Sequence, residues 1–541
     1  MALTKATQVP ARGVTYPGSS DVGSEIHELK GRVSNKYARD FGVTCDGVTD
    51  DSQSLRDALA SLVSGDTLII QSGKLRVSSP VLIDFSGKEN ISIIMDGYLM
   101  PDAGVGNALT IKNLSYSYLK LQVNGGGGSL VDYSTPDPAG AQQAFVLDSL
   151  RCVKVDLLGL GYKGRVLRTQ STGSVKLSFL NLDIRTGDSY NQCYQACYLQ
   201  GADSAYGTIS SAQTQWDVYG SVLDSITDIT ITYWEYGAST TNLNPALTFN
   251  KISSAHISVL AGGQGSGTGT ALKVQEGVAI TIDKLFTTEC AVGLHVVGRT
   301  PTGVNEVNKQ LTVGSHYSYG SNQKALVLQG VRNVSILDCH YDSVGDYGVY
   351  LEGTIRDVDI KGYLRNPNTS CVKSATGSDI SRLKLSCRFY SSSARDLIDL
   401  SEGTIGYVQL TDCTASSAGG RPFKLQATNS VQVTGGEYTT TASSLWDNRP
   451  NVIIGTNLPK VDATGASNVP NGAVNGTVVT VPHGLGVVPT DVSYVWRGIP
   501  RPGAVLVVTN IDSTNIEFTL LTDGTFAAQV NFRWSASGSH K

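Results

Sequence analysis

Long apolar runs and dense charge are both missing from this sequence of 541 residues. Charged residues make up only 16% of the chain, the net charge is −4 and no basic block occurs, so no nucleic acid is expected as a partner. No apolar stretch is long enough to span a bilayer, and the N-terminus lacks the charged-then-apolar pattern of a secretory signal. We therefore expect no membrane partner either.

Cysteine is sparse and shows no metal-binding pattern. The nine cysteines include no CxxC pair, and no His or Cys set completes a metal site around Cys193 and Cys197. We expect the cysteines to be reduced and mostly structural, and we expect no cofactor. Glycine is abundant instead, with 59 residues, which predicts many tight turns.

A three-residue pattern, apolar then polar then apolar, recurs along most of the chain. Its copies begin at Ile91, Leu119, Val153, Val175, Ile229, Ile257, Ile280, Leu311, Val334, Val358, Leu383, Val408 and Val431. Most successive copies lie about 22 to 28 residues apart, and a second pattern such as Leu247-Thr248-Phe249 precedes most of them. Each copy predicts a strand with one wet and one buried face, so the repeat predicts a right-handed parallel β-helix.

One step in this repeat is much longer than the others. It runs from Leu177 to Ile231, roughly 30 residues more than a normal coil. The excess predicts an insert over 185–222, rich in Tyr and Gln and containing Trp216. Inserts in a solenoid form loops on its flank, where binding often takes place, so we expect a binding site there.

The stretch from Asp40 to Leu62 precedes the repeat and reads as a loop rich in Gly and Asp that runs into a helix near 52–62. Asp50 is predicted to cap this helix, with Gln53 as the reciprocal partner of a capping box. An apolar stripe at helical spacing follows, made of Leu55, Leu59 and Leu62. Such a helix is suited to plug an open end of the fold.

The same stretch carries a family resemblance. Asp40-Phe41-Gly42, Asp46-Gly47 and Thr49-Asp50-Asp51 resemble the N-terminal motif of pectate-lyase-like parallel β-helix proteins, which include many bacteriophage tailspikes. The aspartates themselves are expected to be turn and capping residues. The motif therefore indicates a fold and no active site.

The C-terminal part differs in kind from the repeat. Residues 434–469 lose the pattern and contain Pro450 and Pro459, which indicates a linker. Predicted strands separated by turns fill 471–541 and favour a small antiparallel β-sandwich. The run Pro482-His483-Gly484-Leu485-Gly486 resembles one in terminal domains of phage tail proteins. This module is expected to secure a trimer, to bind carbohydrate, or both.

The layout predicted is all-β in three parts: an N-terminal particle-attachment segment over 1–35, a parallel β-helix over 36–460, and the linker with the β-sandwich over 461–541. Resemblance to a tailspike implies a homotrimer that binds and depolymerises bacterial capsule or lipopolysaccharide O-antigen. It also implies attachment to a phage tail or connector protein, and a place in the virion after assembly in the host cytoplasm. A flexible tail is the alternative for residues 1–35.

No catalytic residue is carried over by motif, because pectate lyases and polygalacturonases share this solenoid. Glycoside hydrolysis needs two carboxylates about 5 to 9.5 Å apart. Counting from the repeat places Asp183 and Glu235 on adjacent coils, about 8 Å apart. Trp234 and Tyr236 flank Glu235 and, with Trp216, are expected to contact sugar rings.

A second pair, Glu289 and Asp342, is predicted two coils apart, with Tyr317 and Tyr341 as sugar contacts. The same counting places Phe286, Tyr317, His340, Leu364 and Phe389 in one column, and such a stack favours interior packing. It therefore weighs against both candidate sites, because Glu235 occupies the equivalent position and would point inward too unless the corner differs there.

Two other functions stay open at this point. A polysaccharide lyase could use His316 or His340 as the base, with Arg365 binding a uronate carboxylate. A receptor-binding spike would need no catalysis at all.

Overall fold

The computed structural model of the chain describes residues 34–125, 142–162, 164–172, 177–186, 193, 195–211, 221–236, 245–262, 269–298, 309–321, 323–425, 430–440, 446–447, 451–454, 460–483, 488–512 and 514–539. Most of the predicted attachment segment and Trp216 lie outside these ranges. Within them the chain is almost entirely β-structure.

One α-helix, α1 (Ser52–Ala60), and one 3₁₀ helix (Ala38–Phe41) are described. The helix is too short to cross a membrane. The strands are β1 (Asn35–Tyr37), β2 (Thr67–Ile70), β3 (Lys74–Val77), β4 (Val81–Asp84), β5 (Ser92–Met95), β6 (Tyr98–Pro101), β7 (Asn107–Lys112), β8 (Tyr118–Asn124), β9 (Gln143–Asp148), β10 (Lys154–Leu160), β11 (Arg165–Gln170), β12 (Leu180–Thr186), β13 (Gln195–Gln200), β14 (Ala205–Ser211), β15 (Ser221–Asp224), β16 (Ile229–Tyr236), β17 (Leu247–Asn250), β18 (Ala255–Gly262), β19 (Thr270–Gln275), β20 (Val278–Thr288), β21 (Val292–Val297), β22 (Lys309–Tyr319), β23 (Lys324–Gln329), β24 (Arg332–Asp342), β25 (Tyr347–Glu352), β26 (Thr354–Arg365), β27 (Ser370–Ser374), β28 (Asp379–Ser391), β29 (Ile398–Leu400), β30 (Thr404–Ile405), β31 (Tyr407–Thr411), β32 (Thr414–Ser417), β33 (Phe423–Leu425), β34 (Ser430–Thr434), β35 (Glu437–Thr440), β36 (Trp446–Asp447), β37 (Asn451–Ile454), β38 (Lys460–Val469), β39 (Val478–Pro482), β40 (Asp491–Trp496), β41 (Val505–Ile511), β42 (Asn515–Leu521) and β43 (Val530–Ser539).

Strands β1 to β38 form a parallel β-solenoid, as the repeat predicts. One sheet contains 15 strands that begin at β4 and end at β36, and each strand pairs in parallel with its equivalent in the next coil. The other sheet runs from β1 and β2 to β38 and bends around the remaining sides. Apolar side chains from both sheets fill one continuous interior.

The alternation within the repeat is confirmed in the part of the chain that the structure describes. In twelve of the thirteen copies the two apolar residues are buried and the middle residue is partly or fully exposed, as at Thr281 and Lys384. The exception is the copy at Val175, whose first two residues lie outside the described part of the chain. Its last residue, Leu177, precedes β12 and pairs with Ala202 in an isolated bridge, so the strand predicted there is wrong; Lys154 and Val155 pair with Asn181 and Leu182 instead. Of the other twelve copies, those at Leu119 and Ile257 lie two residues further along their strands, which keeps the same face buried.

The prediction of a long flanking insert over 185–222 is wrong. That stretch contains an additional coil of the solenoid, which includes β14. Strand β14 pairs in parallel with β12 on one side and with β16 on the other. The pattern is hidden there because Gly207 stands in register with Leu182 and Ile231. Gly207 has φ +134°, and a Cβ there would lie 1.9 Å from the Leu182 carbonyl oxygen, so only glycine fits.

Three consecutive strands, β20, β22 and β24, contain one residue more than their neighbours β18 and β26. The pairing of β24 with β26 shifts between Ile336 and Cys339. Both intervening residues, Leu337 and Asp338, are exposed, as expected at a β-bulge. Beyond this point every side chain lies on the face opposite to the one that regular counting predicts.

Helix α1 packs against β4 and the 3₁₀ helix at the N-terminal end of the solenoid. Its predicted leucine stripe is fully buried, namely Leu55, Leu59 and Leu62. The predicted capping box does not form: the N-cap residue is Asp51 rather than Asp50 and makes no side-chain capping hydrogen bond, and the Gln53 side chain donates to Asp57. Asp50 accepts from the Ser52 amide and from Ser78, and Asp51 accepts from the amides of Thr44 and Cys45. The aspartates thus hold turns, as expected.

The C-terminal residues form the predicted β-sandwich. Its two antiparallel sheets are β38–β43–β40 and β39–β42–β41. Phe518 of one sheet packs edge-on against Phe532 of the other, with ring centroids 5.4 Å apart. The linker predicted over 434–469 is largely strand instead. Strand β38 pairs with β35 of the solenoid and with β43 of the sandwich, so one sheet continues from solenoid to sandwich.

All nine cysteines are free and eight of them are buried, which agrees with the structural role expected for them.

Candidate functional site

A column of aromatic side chains stands on the outer surface of the bulged coils. Phe286, Tyr317, His340 and Tyr363 lie in register on β20, β22, β24 and β26. We call these four residues the aromatic column. Tyr317 stacks on His340 with ring centroids 6.1 Å apart, and the His340 and Tyr363 centroids are 5.1 Å apart. Phe286 and Tyr317 remain about two-fifths exposed, at 42% and 41%.

The interior placement predicted for Phe286, Tyr317 and His340 is therefore wrong. The buried column next to them contains Thr287, Ser318, Tyr341, Leu364 and Phe389. The extra residue in β20, β22 and β24 shifts the side chains that follow it by one position relative to those of β26 and β28. Leu364 and Phe389, which lie on β26 and β28, are buried, so the interior prediction is confirmed for these two residues. Tyr341 is fully buried, so the prediction that it contacts sugar is wrong as well.

A second outer column runs beside the first, two residues further along each strand. It contains Thr288, Tyr319, Asp342, Arg365 and Tyr390. Tyr319 is 60% exposed. The Arg365 guanidinium lies 3.7 Å from the Asp342 carboxylate and 5.8 Å from the centre of the Tyr390 ring. This column therefore places a carboxylate, a cation and two phenol rings on the same face as the aromatic column.

Glu289 lies at the corner that ends β20, in the left-handed region at φ 51°. The equivalent corners of the next two coils are Gly320 and Ser343. A Cβ at Gly320 would lie 3.8 Å from the Glu289 Cγ, so the exposed glutamate extends across this glycine toward the coil of Asp342. The predicted separation of two coils is observed, which corresponds to about 10 Å between the two backbones.

The expected proximity of Asp183 and Glu235 is not found. Asp183 pairs with Thr208 on β14, and Thr208 pairs with Thr232 on β16, so a whole coil intervenes. Glu235 lies three residues beyond Thr232 on β16 and is therefore offset along the strand as well. The backbones of the two residues are separated by roughly 14 Å.

The true neighbour of Asp183 is Asp156, directly opposite it on β10. The pair is held by local partners: Tyr118 donates to Asp156 at 2.6 Å, and Arg185 donates twice to Asp183, at 2.9 and 3.2 Å. Burial and the two carboxylates raise the pKa of Tyr118 to about 12. Trp234 and Tyr236 lie with Glu235 in β16, and their side chains lie outside the described part of the structure.

His316 cannot act on a substrate, because it is completely buried in the solenoid. Its Nδ1 lies 2.8 Å from the Tyr341 hydroxyl and its Nε2 lies 3.4 Å from the Thr287 hydroxyl. Burial lowers the pKa of His316 to about 3. The use of His316 as a lyase base is therefore excluded, whereas His340 lies on the surface.

A shallow groove of about 310 Å³ lies beyond the aromatic column. Its walls are Tyr363, Arg388, Tyr390, Thr414, Ser416 and Glu437. Arg388, Thr414 and Glu437 continue the register of the aromatic column on β28, β32 and β35. The sequence does not reveal Tyr363, Arg388 and Glu437 as a continuation of the aromatic column, because regular counting places Phe286, Tyr317 and His340 on the inner face. The one signal available in the sequence is the alternation of Arg388 and Tyr390 with the apolar Phe389 between them.

No family model matches the sequence, and no curated protein matches it. Similar solved structures include the Gp54 tailspike of Acinetobacter baumannii bacteriophage AP22 in complex with a capsular saccharide, with 10% identity and a TM-score of 0.34 over 98% of this chain and 100% of that one. A mutant of the E. coli bacteriophage HK620 tailspike in complex with a pentasaccharide shows 9% identity and a TM-score of 0.34 over 96% of both chains. The tailspike gp49 of Pseudomonas phage LKA1 shows 11% identity and a TM-score of 0.30 over 94% and 99%. Similarity at this level says nothing about activity or site residues.

Proposed function

We propose that this chain is a bacteriophage tailspike that binds bacterial surface polysaccharide, capsule or O-antigen, and depolymerises it by glycoside hydrolysis. The observation that carries the proposal is the aromatic column together with the acidic and basic side chains beside it. Exposed rings aligned on a rigid sheet offer apolar faces to sugar rings, and the flanking polar groups can bind hydroxyls. The resemblance of the Asp40–Asp51 motif to tailspikes supports the same function.

Glu289 and Asp342 are the carboxylate pair that we assign to the chemistry. One donates a proton to the glycosidic oxygen, and the other accepts a proton from the water that attacks the anomeric carbon. Two coils separate them, which leaves room for that water and favours inversion over a covalent glycosyl intermediate. Tyr319 lies on the coil between them, in register with Asp342 and one residue before the position equivalent to Glu289, and is well exposed, so it can pack against the sugar at the cleaved bond.

A polysaccharide lyase is the second candidate, and the position of His340 favours it. His340 is exposed in the aromatic column, and Arg365 lies on the next strand, where it could bind a uronate carboxylate. The product distinguishes the two reactions. A lyase leaves an unsaturated sugar that absorbs in the ultraviolet, and hydrolysis leaves only a new reducing end.

The assembly that we propose is a homotrimer attached to the phage tail or connector protein through residues 1–35. The β-sandwich contributes to it, because its outer surface includes large apolar side chains such as Val495, at 69% exposure, and Ile499, at 94%. Binding of carbohydrate by the same module is compatible with this role.

The test is incubation of the full chain with purified capsular and O-antigen polysaccharides, followed by sizing of the polymer. We expect at least one polymer to be shortened, with new reducing ends and no ultraviolet absorbance. Binding of a polymer without any change in its length would instead identify a spike that does not catalyse. Absorbance that rises as the polymer shortens would identify the lyase.

A further inference from the structure

The groove next to the aromatic column contains an arginine with no partner among the described residues. Arg388 is exposed, and neither an ion pair nor a hydrogen bond of its guanidinium is found there. Three other arginines on the strands of the same sheet are paired: Arg185 binds Asp183, Arg382 binds Asp357, and Arg365 lies beside Asp342. An unpaired guanidinium in a concave surface is free to bind an anion from outside the chain.

The surroundings of Arg388 suit a sugar that carries a carboxylate. Tyr363 and Thr414 flank it on the neighbouring strands, and Tyr390 lies two residues further along the same strand. These side chains offer two rings for apolar contact and hydroxyls for hydrogen bonds. A guanidinium can bind a carboxylate through two parallel hydrogen bonds, a geometry that a neutral sugar cannot match.

The groove has the opposite charge at its other end. Glu437 is exposed and lies two strands from Arg388 in the same column, about 10 Å away along the stack. At that distance the two charges are not in contact, and water screens them. Glu437 is therefore able to accept hydrogen bonds from sugar hydroxyls while Arg388 binds the anionic group.

We infer that the polysaccharide recognised by this chain is acidic, and that Arg388 binds the carboxylate of a sugar residue in the groove formed by β26, β28 and β32. This inference rests on the proposed function and adds a substrate class to it. Arg388 lies two strands from Asp342, so the acidic sugar is bound a short way along the polymer from the cleaved bond. Arg388 thus determines specificity and takes no part in the chemistry.

The experiment compares full-length wild type with Arg388→Gln on a panel of purified bacterial polysaccharides. Acidic polymers are paired with their carboxyl-reduced forms, and neutral polymers are included. Arg382→Gln is the matched control, because Arg382 lies on the same strand, is exposed and is bound to Asp357 away from the groove. Binding is measured by interferometry and polymer length by chromatography, and melting and sedimentation confirm that each variant is folded.

We expect wild type to bind an acidic polymer about tenfold or more tightly than its carboxyl-reduced form, the effect of one charge-assisted pair. Arg388→Gln should lose this preference, Arg388→Lys should keep part of it, and Arg382→Gln should keep all of it. Equal binding of the reduced polymer, an unchanged preference in Arg388→Gln, or no binding at all would overturn the inference. An Arg388-dependent preference without shortening would uphold it and reject depolymerisation.

Discussion

The inner and outer faces of strands β20 to β28 both carry histidine and aromatic side chains, but the inner face packs the solenoid interior and the outer face is open to solvent and ligands. Inside, His316, Tyr341 and Phe389 are buried, and His316 and Tyr341 contact each other. Outside, His340 and Tyr317 stack on each other in contact with solvent. His316 pairs in register with Cys339, so one residue along a strand separates the two environments.

This comparison shows that the residue type does not decide the role here. A histidine on the inner face stays neutral because burial penalises its charged form. A tyrosine on the inner face contributes packing, and one on the outer face offers a ring to a ligand. Substitutions on the two faces should therefore separate stability from function, and the following experiments test that separation.

The largest effect is expected at the carboxylates on the outer face. Glu289→Gln and Asp342→Asn should each lower the depolymerisation rate by about 10² to 10⁴-fold, because each removes one proton transfer. The melting temperature should hardly change in Glu289→Gln, since Glu289 is exposed, and should fall only slightly in Asp342→Asn, which loses the ion pair of the partly buried Asp342 with Arg365. Release of reducing ends, measured with Asp183→Asn as the control, provides the test. Full activity in both variants would contradict the assignment of Glu289 and Asp342.

The next effect concerns stability and compares two adjacent residues of β28. Phe389→Ala should lower the free energy of unfolding by about 3 to 5 kcal/mol, because it leaves a cavity in the solenoid interior. Tyr390→Ala, at a position that is 38% exposed, should change it by only about 0.5 kcal/mol. Denaturant unfolding of both variants measures the difference. Equal losses would show that β28 is not oriented as described.

A pH effect follows from the buried histidine. The pKa of His316 falls from the ordinary value near 6.5 to about 3 on folding, so below pH 6.5 the unfolded chain binds a proton that the folded chain does not. Stability is therefore lost as the pH falls from about 6.5 toward 3, by up to about 1.4 kcal/mol per pH unit from this residue. His316→Gln should unfold with a shallower dependence in that range.

Tyr341→Phe is the control for this measurement. It removes the hydroxyl that contacts His316 but leaves the histidine in place, so the chain should be less stable at every pH with the slope of the wild type. A wild-type slope in His316→Gln would show that carboxylates alone cause the loss in acid.

The smallest effect is expected at the aromatic column. Tyr317→Ala should weaken polysaccharide binding by about three- to tenfold, which is the range for losing one aromatic contact, and should not alter the melting temperature. Tyr317→Phe keeps the ring and should bind as the wild type does. If Tyr317→Ala binds with unchanged affinity, the column does not contact the polymer.

The candidate site was only partly predictable. Glu289, Asp342 and Tyr317 were selected from the sequence, and the structure places them on one outer surface, although Tyr317 was also counted into an interior column. Arg388 and Tyr363 were not selected, because the extra residue in β24 cannot be seen in a pattern of apolar and polar residues. Leu337 and Asp338 would fit a regular strand equally well until pairing with β26 shows the shift.

The sequence by itself determined the architecture. The alternation of apolar and polar residues, as around Thr281 and Lys384, determines which face of each strand is buried. Because each strand has one apolar face to bury, the regular spacing of the copies requires that successive coils stack. Only the tertiary structure decided the register between coils. At position 207 the close approach of the Leu182 backbone requires glycine, so the apolar residue that would mark this coil in the sequence is missing. The extra residue in β20, β22 and β24 reverses which side chains of these three strands face the interior. Register is a property of paired strands, and it places Asp342 and Arg388 in neighbouring columns of one outer surface.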